Sequence, residues 1–302
     1  MRTQKIAIIA FGIVLMSCIV SAGFFDMFDK ITGRATSQPT NVSVAVAGTT
    51  KAQVTYVSTI SNVDLNESSY KAVTFNTHMY DADGVSDLND TSVSANFSRT
   101  GEALRETSLC TLQNDVDGYT ANYSCSINMW YWDGAGTWNI TVRGKDIGNG
   151  SYAYNTTTYF TVNQLKAMVV SPAALTWPTV SSGAENQTSN NDPTTINNTG
   201  NYNGTIDLTA IDLYGETSPS QKIPANNFTT GLTTSGANPE CIATVLVNGS
   251  VATITGSVAN RGNLSAGSGA GQEEFYYCIP KVPLISSQTY STSQGGSWTI
   301  AY

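Results

Sequence analysis

Histidine is almost missing from this chain of 302 residues: His78 is the single one. Its phase in an alternating segment turns it outward, beside Thr74 and Asn76. A histidine-based triad, a histidine metal cluster and histidine acid–base chemistry are therefore disfavoured. Charge is also scarce, at 12% of residues, and the balance is −8. The 14 lysines and arginines are scattered, so the chain is a poor match for phosphate backbones and nucleic acid is not an expected partner. The CxxC spacing of a zinc site is absent, as is a glycine-rich phosphate loop. No cofactor is indicated. Beyond residue 22 no apolar run is long enough to span a bilayer. The closing run Ser297-Trp298-Thr299-Ile300 is strand-like rather than a hydrophobic tail, so any membrane anchor is expected at the front. After residue 35 no long segment has a 3.6-residue period, which argues against helices.

The front carries the order of an export signal: Arg2 and Lys5, an apolar stretch from Ile6 to Val20, then the small residues Ser21, Ala22 and Gly23. Three fates fit residues 1–22. Cleavage after Ala22 leaves Gly23 first. Leu15-Met16-Ser17-Cys18 resembles a lipobox, which would leave a lipid on Cys18. An uncleaved segment would serve as an anchor helix. Residues 23–39 read as a leader and linker, with Phe24, Phe25, Phe28 and Ile31 at helical spacing that could rest on a membrane surface.

From residue 40 onward the period is two. Val42, Val44 and Val46 alternate with polar or small residues, and so do Val73, Phe75 and Met79. The same holds for Val93, Ala95 and Phe97, for Trp138, Ile140 and Val142, and for Ile206, Leu208 and Ala210. Strict alternation predicts half-buried strands, and many short strands between turns predict all-β sandwiches. The length suits two such antiparallel domains, residues 40–163 and 164–302, joined by a linker too short for independence. Asn248-Gly249 predicts a hairpin between Val245–Val247 and Val251–Ile254. Residues Arg261 to Gln272, rich in glycine, serine and alanine, predict a mobile loop.

Four cysteines follow the front segment, an even set in an oxidising context, so two disulfides are expected. Asp117-Gly118 favours a two-residue type I′ turn that pairs Val116 with Tyr119. Counting outward places Cys110 opposite Cys125, within disulfide reach. Leu112 and Val116 would then share a buried face with Tyr119, Ala121 and Tyr123. Cys241 and Cys278 pair by exclusion.

Fourteen Asn-x-Ser/Thr triplets mark glycan acceptors at Asn41, Asn66, Asn89, Asn96, Asn122, Asn139, Asn149, Asn155, Asn186, Asn197, Asn203, Asn227, Asn248 and Asn263. Several lie on the polar side of their alternating strands, where a bulky sugar has room. Trp130 and Trp132 fall on the Ser124/Ser126/Asn128 face, opposite Cys125, Ile127 and Met129, as candidates for stacking on sugar rings. The alternative is burial by the other domain or by a bulge. Asp81, Asp83 and Asp87 are secondary calcium candidates. Their spacing misses the twelve-residue helix-loop-helix pattern, so the segment reads first as a solvated Asp-Gly turn.

Trp177-Pro178-Thr179-Val180-Ser181-Ser182-Gly183, Asn198-Thr199-Gly200-Asn201, Asp212-Leu213, Ile223-Pro224-Ala225-Asn226-Asn227-Phe228, Cys278-Ile279-Pro280 and Gly296-Ser297-Trp298-Thr299-Ile300 resemble a β-sandwich module of archaeal and some bacterial surface proteins. Asp81-Ala82-Asp83-Gly84-Val85 and Trp132-Asp133-Gly134-Ala135-Gly136-Thr137-Trp138 resemble an immunoglobulin-like extracellular domain. The resemblances imply a non-catalytic envelope protein and carry over no binding residues. The expected role is structural or adhesive, outside the cytoplasmic membrane. Expected partners are envelope components, surface proteins or glycans, with the membrane reached through the N-terminal segment. The alternatives are a carbohydrate-binding module that uses the two tryptophans and a carboxylate-based hydrolase.

Overall fold

A computed structural model describes residues 42–44, 50–232, 239–266 and 271–302. The export segment, Cys18, the leader aromatics and Asn41 lie outside the described residues. The chain divides into two compact units, Met1–Val46 and Ala47–Tyr302. In the first, Val42 and Val44 are exposed and carry no strand, which corrects the alternation expected there. Val46, of the same run, lies outside the described residues. Alternation buries a side only where a ladder partner exists, and residues 42–44 pair with no described strand.

The second unit is all-β, and its described helical pieces are five 3₁₀ turns of three or four residues. Eight strands come first: β1 Gln53–Val57, β2 Tyr70–Tyr80, β3 Ser94–Ser98, β4 Arg105–Thr107, β5 Thr111–Asp115, β6 Thr120–Trp130, β7 Gly136–Gly144 and β8 Ala153–Val162. They form two antiparallel four-stranded sheets, β1-β2-β6-β5 and β4-β3-β7-β8. One core draws on both. Val73, Phe75 and Ile127 come from the first sheet, and Phe97, Trp138 and Ile140 from the second. The rings of Phe75 and Phe97 are 5.6 Å apart across the gap. Each large side chain removed from water contributes about 1.5–3 kcal/mol, and the period of two is what aims these residues inward.

Twelve strands follow, all short but β18: β9 Met168–Ser171, β10 Glu185–Thr188, β11 Thr194–Asn198, β12 Asp207–Thr209, β13 Leu213–Gly215, β14 Lys222–Ile223, β15 Thr229–Gly231, β16 Thr244–Val245, β17 Val251–Thr253, β18 Gln272–Lys281, β19 Tyr290–Ser291 and β20 Thr299–Ala301. They make one six-stranded and two three-stranded sheets around a second core that includes Ile206, Leu208, Phe228 and Phe275. Phe228 is its hub, with Trp177 at 5.3 Å and Trp298 at 5.1 Å, both edge-on. The indole of Trp177 donates to the Gln187 carbonyl and that of Trp298 to the Ile211 carbonyl, so each large ring is also satisfied.

The Asn248-Gly249 hairpin does not form. β16 pairs with β15, whereas β17 pairs with β12 in another sheet. The turn is diverted because the Asn248 side chain accepts from the Asp212 amide and the Gly249 amide donates to the Ala210 carbonyl. The chain therefore crosses between sheets at the point where it was expected to fold back.

Candidate functional site

The β5–β6 hairpin reaches the expected cysteine pair by an unexpected route. Gly118 is not at positive φ, as a type I′ turn requires. Instead the Asp117 carboxylate accepts from the Tyr119 amide at 2.8 Å, which draws Tyr119 into the loop. That amide also holds the Asp117 carboxyl below its usual pKa. Val116 consequently pairs with Thr120, at 2.7 Å, rather than with Tyr119. A bulge between Leu112 and Asn114 then restores the register, so Leu112 still faces Tyr123 and Thr111 still faces Ser124. Cys110 bonds to Cys125 with Cα atoms 4.4 Å apart. Cys241 bonds to Cys278 at 5.0 Å between Cα atoms. Two disulfides fit an oxidising compartment. The expected burial of Leu112, Val116 and Tyr119 fails, since all three are exposed. β5 is the edge of its sheet, and every residue in it is exposed.

Trp130 and Trp132 are half-buried rather than bare. Their rings stack on each other at 4.9 Å and 16°. Tyr70 meets Trp130 edge-on, Tyr131 meets Trp132 edge-on, and the Arg105 guanidinium sits 5.9 Å from the Trp132 ring. The pair covers itself. Each ring has spent one face on the other, and residues of the second half reach the same segment, where Arg261 donates to the Trp132 carbonyl and the Leu264 amide to the Tyr131 hydroxyl. A flat sugar platform would set the rings side by side.

A shallow cleft of about 450 Å³ lies where loops of the two cores meet. Arg261 spans it, donating to both Glu102 carboxylate oxygens at 2.9 and 2.6 Å and to the Trp132 carbonyl at 2.7 Å. Arg261 thus opens the segment expected to be mobile as an anchor, and residues 267–270 of that segment lie outside the described residues. Asn201 ties the same seam. It accepts from the Leu165 amide and donates to the Asp133 and Asn163 carbonyls. Gly200 sits so close to the Leu165 carbonyl that an added Cβ would lie 2.2 Å from it. Among the described residues Glu102 is the single carboxylate lining the cleft, and it is ion-paired with Arg99 and Arg261. Two-carboxylate hydrolysis needs a second acid facing the first. The Arg105–Asp133 pair beneath is likewise closed, with Asp133 fully buried. Arg261 and Glu102, like Arg105 and Asp133, lie far apart in the chain, so no local signal announces these two pairs.

The Asp-Gly turn is not simply solvated. Asp83 is exposed, but Asp81 is fully buried, and one carboxylate oxygen from each of Asp81, Asp83 and Asp87 lies within 4.8 Å of the other two. His78 is half-buried at the end of β2, 4.8 Å from the Tyr56 ring.

None of the thirteen described acceptor asparagines is buried. Asn66, Asn149, Asn186, Asn203 and Asn248 are exposed. Asn89, Asn96, Asn122, Asn139, Asn155, Asn197, Asn227 and Asn263 are half-buried. In Asn89, Asn155 and Asn263 the side-chain oxygen accepts from both the amide and the hydroxyl of the Thr or Ser two residues on. The described asparagines that are buried, Asn198 and Asn201, are not acceptors, although Asn198 is the middle residue of the Asn197 triplet. No known family model matches the chain, and a search of curated proteins finds no similar one.

Proposed function

We propose that this chain is an exported, glycosylated, non-catalytic surface protein of the archaeal envelope type. In this reading two consecutive antiparallel β-sandwiches, residues 40–163 (immunoglobulin-like) and 164–302, act as a stiff spacer or adhesive arm. One observation carries it: acceptor asparagines lie at exposed or half-buried positions, while the buried asparagines are not acceptors. A sugar is large and hydrophilic, so it requires that partition. The disulfides and the bonded seam at Arg261 and Asn201 suit a spacer, because both restrict opening. The acidic surface, the N-terminal export pattern and the motif resemblance support the location. Envelope components, neighbouring surface proteins or glycans are the partners this geometry suits, with attachment to the membrane through the front segment if it is kept or lipidated.

Intact mass of the protein from its own cells tests the reading. The expected result is a chain whose front is cut, lipidated or kept as an anchor, which carries sugar on several asparagines and gains mass on reduction of its two disulfides. A full-length, unmodified, thiol-bearing chain would sink it.

A further inference from the structure

We propose that Asp81, Asp83 and Asp87 form a calcium site at one end of the first pair of sheets. Clustered acids alone would not carry this, because solvated carboxylates tolerate one another. Here the cluster is only partly solvated, and its innermost member is sealed from water. Asp81 has no exposed surface, one of its oxygens accepts from the Asp83 amide, and the other, Oδ2, is buried without a hydrogen-bond partner. The Oδ2 of Asp87 is buried and unpartnered in the same way.

A buried carboxylate without a partner is costly and calls for a proton or a cation. The neighbours offer no relief. The charged groups acting on Asp81 are Asp146, Asp87 and Asp83, all negative. Asp146 is itself fully buried, but its oxygens are taken by the amides of Ala52, Asn149 and Gly150. That leaves Asp81 and Asp87 as the carboxylates with oxygen to give, with Asp83 beside them.

The geometry selects the ion. Calcium binds oxygens at about 2.3–2.6 Å, so ligands on opposite sides of it stand up to roughly 5 Å apart. Three carboxylate oxygens within 4.8 Å of one another fall inside that reach. Magnesium holds about 2.0–2.1 Å in a strict octahedron and keeps its waters, which suits a cluster centred on a fully buried carboxylate poorly. The loop is also built to hold its shape. Gly84 adopts φ 107°, a conformation closed to most side chains, and turns the chain between Asp83 and Val85. The Asp81 and Val85 amides are fixed to the Tyr119 and Gly118 carbonyls at the β5–β6 tip, and the Thr50 amide donates to Asp83. A cation here would pin three chain segments together.

The test is calcium titration of the full chain after chelator treatment, read by calorimetry and by the unfolding midpoint, with magnesium in parallel. The expected result is a midpoint raised by calcium at about millimolar concentration or below, the range of extracellular modules, and little moved by magnesium. Asp81→Asn should abolish the shift, and Asp83→Asn should weaken calcium affinity at least about tenfold. Asp83 is exposed, and an asparagine there can still accept from Thr50, so this variant decides the matter if Asp81→Asn fails to fold. Absence of heat and of any midpoint shift in the unaltered chain would overturn the proposal. So would a shift that persists unchanged in Asp83→Asn. An Asp81→Asn protein as stable as the parent, with calcium moving neither, would mean that Asp81 simply holds a proton.

Discussion

The two halves of the compact unit solve the same problem by different means. In the first, β2 and β6 run side by side through eleven consecutive pairs, from Tyr70 with Trp130 to Tyr80 with Thr120, without a break. Backbone ladders satisfy the amides there, and alternating side chains fill the core. In the second, most strands are two to five residues long, and β18 alone among them is long. Short ladders leave backbone groups that side chains must satisfy. Asn198 donates to the Tyr202 and Ala259 carbonyls and accepts from the Gly200 amide. Asp212 accepts from the Ala225 amide and from Lys222, and Ser257 accepts from the Ile206 amide and donates to the Ile254 carbonyl. The first half is held by pattern, and the second by particular polar side chains.

If that contrast holds, the largest single loss in the first half should come from emptying its core. Trp138 is fully buried, with its indole on the Gly134 carbonyl. Trp138→Ala should cost about 3–5 kcal/mol in urea unfolding. In the second half a polar substitution should approach that effect. Asn201→Leu keeps the volume close but strands the Leu165 amide and two carbonyls, for an expected loss of about 2–3 kcal/mol. A loss under about 0.5 kcal/mol in that variant would show that the seam is decorative and erase the contrast.

The same difference explains what could be read in the sequence. Val73, Phe75, Ile140 and Leu208 announce burial through their phase, because a pleat points alternate residues to opposite sides. Cys110 and Cys125 were legible because they lie 15 residues apart around one turn, and two deviations cancelled between them. The Asx turn at Asp117 added a residue to the loop, and the bulge near Gln113 removed the offset. Asn248-Gly249 misled because its hairpin preference lost to bonds from residues nearly forty positions away. Arg261 and Glu102, 159 residues apart, carry no local mark at all. The burial of Asp81 was hidden for a related reason: an Asp-Gly segment looks solvated until the hairpin tip is folded over it.

The smallest expected effect discriminates most finely, because it sets two buried tyrosines against each other. In the first half, Tyr123 donates its hydroxyl to Asp90 at 2.7 Å. In the second, the Tyr277 hydroxyl lies beside Thr194 without a well-formed hydrogen bond. At neutral pH, Tyr123→Phe should cost about 1.5 kcal/mol, since it removes a bond to a carboxylate that water can partly replace. Tyr277→Phe should fall within about 0.5 kcal/mol of zero, because it deletes a buried polar atom that had little to lose. Alkali should then bring the two together. Burial raises the pKa of Tyr123, Tyr277 and Tyr302 above that of a free tyrosine, to about 12 for Tyr302. Below about pH 10 these phenols are neutral whether the chain is folded or not, and their contribution is intact. As the pH climbs past about 10, the unfolded chain ionises first, so folding loses ground at up to about 1.4 kcal/mol per pH unit for each fully buried group. That loss is complete for Tyr302 only above about 12 and extends further for the other two. Each Phe variant should flatten the alkaline limb of stability against pH relative to the parent, whatever it costs at neutrality. An unchanged limb in Tyr277→Phe would mean that its phenol ionises without unfolding, and that the second half opens locally around β18 where the first does not.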